Sequence, residues 1–245
     1  MRYEFDWSVL FRDPFADWLL TGVIVTLCLT VITSVTSLAL GTTAAILRVS
    51  RRRLFSFIGN GYAETARNIP GLFWLLFFYF AFPSLLPAGI GNALNAWRHY
   101  AIAAAVVALT LDNGAYISDI IRAGLIAIPR GQTDAGLSSG LSAYQLYRYI
   151  LLPEAFRRML PPLGTRLIHN FKNTAFCMAI AVPELTWATQ QIESITFRGI
   201  EATTVATLFY IIIGVAAARL LRRLERTANA VDAPKGDART PSWIF

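Results

Sequence analysis

The amino-acid sequence predicts an all-α membrane protein with about five transmembrane helices, on three observations. Apolar residues come in runs of roughly 20 or more, the length a helix needs to cross about 30 Å of hydrocarbon. Charged residues make up only 15% of the 245-residue chain, against about 25% in a soluble domain. Arginines gather in alternate breaks between the runs, as in loops retained on the inner side of a membrane. That asymmetry accounts for the net charge of +7 without an anionic partner, so no nucleic acid is expected.

Residues 1–17 read as a short outer surface segment, with Trp7 and Trp18 suited to an interface where an indole is half wet and half buried. They are aromatic and acidic rather than a basic leader, and the apolar run that follows is too long for a signal peptide. Span one covers 18–47. Its hydroxyls (Thr21, Thr26, Thr30, Thr33, Thr36) can bond back along the helix or across to a neighbour. Span two covers 54–82 and is interrupted by Glu64, Arg67, Asn68 and Pro70. Pro70 weakens the helix because a carbonyl one turn back loses its donor. Two readings stand there, a broken-helix site or gate, and a kink with an internal Glu64–Arg67 pair. The aromatic run GLFWLLFFYFAFP follows, then a loop over 83–99.

Span three covers 100–128. Asp112, Tyr116 and Asp119 fall at i, i+4, i+7 and share one face. Asp119 can pair with Arg122 three residues on. Asp112, Asn113 and Asp119 either line a path or pair with Lys172 and Arg122. Residues 129–153 are polar and basic yet too structured for a linker. Ser142 and Gln145 form a capping box, and Gly140 permits a sharp bend. Pro153 is expected to turn the chain. Two short helices with a bend at Gly140 are therefore predicted, a shape a partner protein can grip.

Span four covers 155–188, with Pro161 and Pro162 near its start. Arg166, Asn170 and Asn173 make one helical stripe, with Lys172 to one side. Ionisable groups in a span face a wet cavity or a partner. Against that, Arg166 can snorkel to the surface, Asn173 can bond to a neighbouring helix, and Lys172 can be paired within the bundle. Glu184 gates or pairs. Residues 189–201 form an outer loop, and span five covers 201–221. Residues 227–245 are a polar tail expected to be disordered.

Inner arginines are Arg48, Arg51, Arg52 and Arg53, then Arg130, Arg148, Arg157 and Arg158, then Arg222, Arg223 and Arg226. The N-terminus therefore lies outside and the C-terminus inside, which five crossings satisfy. Cys28 and Cys177 read as core thiols. His99 and His169 make no metal constellation. The sequence holds no GxxxxGK[ST] phosphate loop, and no catalytic constellation supports a membrane enzyme.

The 129–153 loop resembles the cytoplasmic loop of permease subunits of ABC importers. That pattern is Glu-Ala-Ala, three residues, Gly, nine residues, Ile, one residue, Leu-Pro. Here it reads Asp134-Ala135-Gly136, then Gly140, Ile150, Leu152 and Pro153. The stretches YAETARNIP, AYISDIIRAGLIAIPRGQ, LPEAFRRMLPPLG and NFKNTAF resemble the polar amino-acid branch of that family, nearest its glutamate/aspartate permeases. The likeness covers roughly residues 19–226. It departs at Asp134, at Gly136 and at Ser139 before Gly140, which bears on coupling strength.

The resemblance implies a bacterial inner-membrane subunit, with residues 1–17 periplasmic, 18–226 a transmembrane domain and 227–245 cytoplasmic. It implies a second permease subunit, a cytoplasmic ABC ATPase that carries ATP and Mg, a periplasmic amino-acid-binding protein, and membrane lipid around the chain. This chain then binds no cofactor. Asp134, Ala135, Gly136, Gly140, Leu141, Ile150, Leu152 and Pro153 would form the ATPase-coupling loop. The substrate path would take Arg166, Asn170, Lys172 and Asn173, with Asp112 and Arg67; Arg166 suits a substrate carboxylate, which it can clamp with two parallel hydrogen bonds. Gln190, Gln191, Glu193 and Arg198 would offer a docking surface for the binding protein, unless they are a plain solvated loop. An acidic amino acid is the expected cargo. The alternative is a stand-alone ion-coupled transporter with Asp112, Asp119 and Glu184 as proton or sodium sites.

Overall fold

The computed structural model describes residues 4–128 and 130–230, and these form helices joined by short turns, with no strand among them. A 3-10 turn (Trp7–Phe11) precedes α1 (Phe15–Arg48). Asp6 caps that turn, accepting from the Ser8 N–H at 3.1 Å and its hydroxyl at 2.6 Å; the hydroxyl contact holds its carboxyl below the usual range. The N-terminal segment is thus more than a surface segment: Val9 and Leu10 are buried, and the Asp6 N–H donates to Glu201 Oε1 at 2.9 Å. Cys28, expected in the core, is exposed, whereas Cys177 is buried.

The first large departure from the expected fold is span two. α2 (Arg53–Asn68) and α3 (Gly71–Leu76) meet at Ile69 and Pro70 with a bend of 102°. Loss of a hydrogen bond explains a kink; a near right angle reflects what each side packs against. α2 buries small residues (Gly59, Ala63, Ala66), and α3 buries Leu75. α3 continues through a π turn (Phe77–Ala81) into α4 (Phe82–Leu85). The expected 83–99 loop contains α5 (Ala88–Ala96).

α6 (Tyr100–Ile126) lies against α1. The approach is close: a Cβ on Gly41 would stand 2.6 Å from Ile117 Cγ2 and 2.8 Å from Gly114 O. The Thr36 and Thr110 hydroxyls bond across the seam at 2.6 Å, while Thr33 bonds back to Leu29 O at 2.7 Å, as the threonine spacing predicts. Leu29, Leu75, Ala104, Ala105, Ala108 and Ile180 share one apolar cluster between these helices.

The two predicted short helices are α7 (Arg130–Ser138) and α8 (Ala143–Leu146). Pro153 does not turn the chain. A π turn (Tyr147–Leu151) leads directly into α9 (Leu152–Asn173), with Pro153 in its first turn. Pro153 has no N–H to give to a carbonyl one turn back, and the widened π turn just before it is where the helix accommodates that loss. Span four is not one helix to residue 188. α9 gives way to a 3-10 stretch (Thr174–Ile180), Ala181 takes a left-handed φ of 57°, and α10 (Leu185–Thr196) starts afresh within the expected span and runs on through 189–196, where an outer loop was expected. α11 (Gly199–Ala230) follows and keeps 227–230 helical; residues 231–245 lie outside the described residues.

Among the described residues, three helices are long and apolar enough to cross a membrane (Phe15–Arg48, Tyr100–Ile126, Gly199–Arg223), or four if the bent α2–α3 pair counts as one span. Five were expected. The shortfall is α9, which carries Glu154, Arg157, Arg158, Arg166 and Lys172.

Candidate functional site

The polar face predicted for α6 exists, and both of its carboxylates are held by arginines. Asp119 does not pair with Arg122, which is exposed. It receives Arg48 Nη1 on Oδ1 and Arg67 Nη1 on Oδ2, each at 2.6 Å. Arg48 also donates to Ser118 Oγ and Asn60 Oδ1, both at 3.0 Å. Arg67 donates to Ala63 O at 3.1 Å and turns to Asp119, so the expected Glu64–Arg67 pair is absent. One carboxylate thereby joins α1, α2 and α6. Sequence reading missed Arg48, counting it only as an inner charge. The available signal was its place at the very end of a span, where a guanidinium must find an acceptor if it points inward.

Asp112 does not pair with Lys172. Arg166 Nη2 lies 2.8 Å from Asp112 Oδ2, with side chains 14% and 8% exposed. The guanidinium sits 3.9 Å above the Tyr116 ring. Arg166 therefore does not snorkel: it links α9 to α6, and its charge is already matched. Asn170 is buried and donates to Thr33 Oγ1 at 2.8 Å and Ser34 Oγ at 3.1 Å on α1. The Arg166–Asn170–Asn173 stripe is thus divided between two neighbours. Asn173 is half-buried. Lys172 is exposed rather than paired in the bundle, and it lines a groove of about 630 Å³ between α9 and α11 with Ile168, Thr207, Tyr210, Gly214 and Arg222. Glu184 pairs with no cation among the described residues: it is buried, caps α10 through the Thr186 and Trp187 N–H groups at 2.9 and 2.7 Å, and accepts from the Tyr210 hydroxyl at 3.0 Å. Gln190 and Glu193 are exposed on α10, and Gln191 is half-buried.

The loop has the local geometry its sequence demands. The Ser142 N–H donates to Gln145 Oε1 at 2.9 Å, and the Gln145 N–H to Ser142 Oγ at 3.3 Å. Gly140 has φ +79°. Gly136 is buried, and a Cβ there would stand 2.5 Å from Leu146 Cδ1; the missing methyl lets α7 close on α8. Asp134 and Ala135 are exposed, while Leu141, Ile150 and Pro153 are half-buried. Leu152 begins α9, and its side chain lies outside the described set.

A long, bent helical bundle with a capped helix pair feeding α9 is the architecture of a transporter's membrane subunit. Residues 37–229 match the family described as "Binding-protein-dependent transport system inner membrane component", and the chain belongs to it. It is 35% identical to the Escherichia coli (strain K12) "Glutamine transport system permease protein GlnP" over 223 residues, 91% of this chain and 97% of that protein. It is 33% identical to the "Glutamate/aspartate import permease protein GltK" of E. coli O6:H1 over 224 residues, 91% of this chain and 98% of that one. Its fold superposes on a chain of the structure described as "Crystal structure of an amino acid ABC transporter with histidines", with TM-score 0.80, 27% identity, and coverage of 92% and 100%. The resemblance to polar amino-acid permeases of ABC importers, read from the loop and its flanking motifs, is borne out; its narrowing to the glutamate/aspartate branch is not, since the relatives include a glutamine permease as well.

Proposed function

We propose that this chain is one permease subunit of an ATP-driven importer of polar amino acids in a bacterial inner membrane, with glutamine its first cargo. The α7–α8 pair docks on a separate cytoplasmic ATPase that carries ATP and Mg. A second permease subunit completes the path, and a periplasmic binding protein delivers the amino acid. The observation that carries this reading is the unbroken helical route from the capped pair through α9 to Arg166. The three carboxylates that an ion-coupled transporter would need are engaged: Asp112 by Arg166, Asp119 by two arginines, Glu184 by backbone N–H groups. That favours an external motor over an ion gradient.

The acidic cargo expected from sequence leaned on Arg166 and Lys172. Arg166 is matched by Asp112, which removes half of that motive and supports a neutral side chain. Glutamate or aspartate is the second reading, favoured by the exposed Lys172 in its groove. Uptake of labelled glutamine in a deletion strain carrying this chain and its partners tests both. Competition in the order glutamine, glutamate, arginine is expected. Competition by arginine or histidine alone overturns both cargoes, and uptake without ATP hydrolysis overturns the importer.

A further inference from the structure

α2 has two faces of opposite character. The buried face is made of small residues, and a Cβ on Gly59 would lie 2.8 Å from Arg48 Cγ. The outer face carries Leu54, Phe57 and Ile58, which are 65%, 76% and 50% exposed. The contacts fix how the helix lies. α1 and α6 run side by side, from the Thr36–Thr110 contact to the Arg48–Ser118 contact. α2 meets both near the second level, Asn60 on Arg48 and Arg67 on Asp119, while the long Tyr62 side chain reaches from it toward the first level, its hydroxyl donating to Leu111 O at 2.8 Å. α3 leaves at 102° and runs back along α6, until the Phe78 carbonyl accepts from the Tyr100 hydroxyl. α3 thus follows the bundle axis, and α2 lies across it.

At the start of α2, Arg51, Arg52 and Arg53 are all exposed, and the Arg52 guanidinium lies 5.6 Å from the Phe55 ring centroid. A helix lying across the bundle, apolar on its outer face and cationic at its start, has the character of an element in the plane of a membrane surface. We propose that α2 is an in-plane anchor that binds anionic phospholipid headgroups of the arginine-rich side through Arg51, Arg52 and Arg53, with Leu54, Phe57 and Ile58 among the acyl chains. Lipid is the occupant that meets both halves of the surface: phosphate suits the guanidinium row and hydrocarbon suits the apolar face. A soluble acidic protein would satisfy only the first. Since Arg67 at the far end of the same helix holds Asp119, headgroup binding bears directly on that junction.

The test uses the purified full chain in detergent, probed with phosphatidylglycerol against phosphatidylcholine by native mass spectrometry. The wild type should prefer phosphatidylglycerol, and the preference should fall as salt rises. Arg51→Gln/Arg52→Gln/Arg53→Gln should reduce it roughly 100-fold, at about fivefold per cation. Arg222→Gln should not. Because the three arginines also set topology, a second measurement keeps them: a spin label at Phe57→Cys, in a Cys28→Ala background, in phosphatidylglycerol nanodiscs. Oxygen should reach that label more readily than a water-soluble nickel complex. A preference unchanged in the triple variant overturns the proposal. So does a label reached first by nickel, which would place the face in water or under another protein.

Discussion

Asp112 and Asp119 stand two turns apart on one face of α6, and the chain treats them differently. Asp119 is shared by Arg48 and Arg67, and Arg48 has Ser118 and Asn60 in reserve. Asp112 has one arginine, Arg166, backed only by the Tyr116 ring; the Arg166 Nε and the Asn170 Oδ1 have no hydrogen-bond partner among the described residues. The redundant junction ties three elements that come early in the chain. The single tether ties α6 to α9, the helix fed by the loop. Redundancy suits a joint that stays shut, and a single tether suits one that opens and closes.

The contrast can be broken at either end. Asp112→Ala should have the largest effect, because it leaves a buried guanidinium unpaired at a cost of about 3–5 kcal/mol. Thermal melting in detergent should drop accordingly, and transport should be lost. Replacing both partners, Asp112→Ala with Arg166→Met, should recover most of the melting temperature, since removing a whole buried pair is often neutral, while leaving transport dead. If the double variant melts like the single one, the tether is not what holds α6 to α9. Asp119→Ala should cost less, about 2–3 kcal/mol, because Arg48 keeps two acceptors and Arg67 is one-third exposed. On the loop, Gly140→Ala should cost about 1–2 kcal/mol locally for its left-handed φ, and coupled ATPase activity should fall with little change in melting. The smallest effect is expected from Arg67→Gln, roughly 1 kcal/mol or less, since Arg48 still holds Asp119. A larger drop for Arg67 than for Asp112 would reverse the comparison.

Much of this was legible in the residues. The capping box, the Gly140 bend and the polar face of α6 follow from local chemistry that needs no tertiary context. The loop spacing carried the family. What stayed hidden were choices among partners. Asp119 can reach Arg122 along its own helix, but the buried Arg48 has more to lose by going unpaired, so tertiary contact wins. The 102° break at Pro70 was hidden for a related reason: proline marks a weak point, and only the packing of α2 on small residues sets the angle. The split of span four at Ala181 is marked in the sequence by Pro183 and Glu184 just after it, a helix breaker and a capping carboxylate, which the apolar residues before them mask.

The π turn at Tyr147–Leu151 lets the chain pass from loop to α9 without a hinge. Fourteen residues separate Leu152 from Arg166, so the shaft between them is about 21 Å long at 1.5 Å per residue. Tilting such a shaft by about 10° would carry the guanidinium sideways by about 3.5 Å, more than the 2.8 Å that now joins it to Asp112. Pro161 and Pro162 lie inside that shaft, and each removes a backbone hydrogen bond from it; a pull at the foot that the shaft transmits past them would unlatch the top without a chain of side-chain rearrangements.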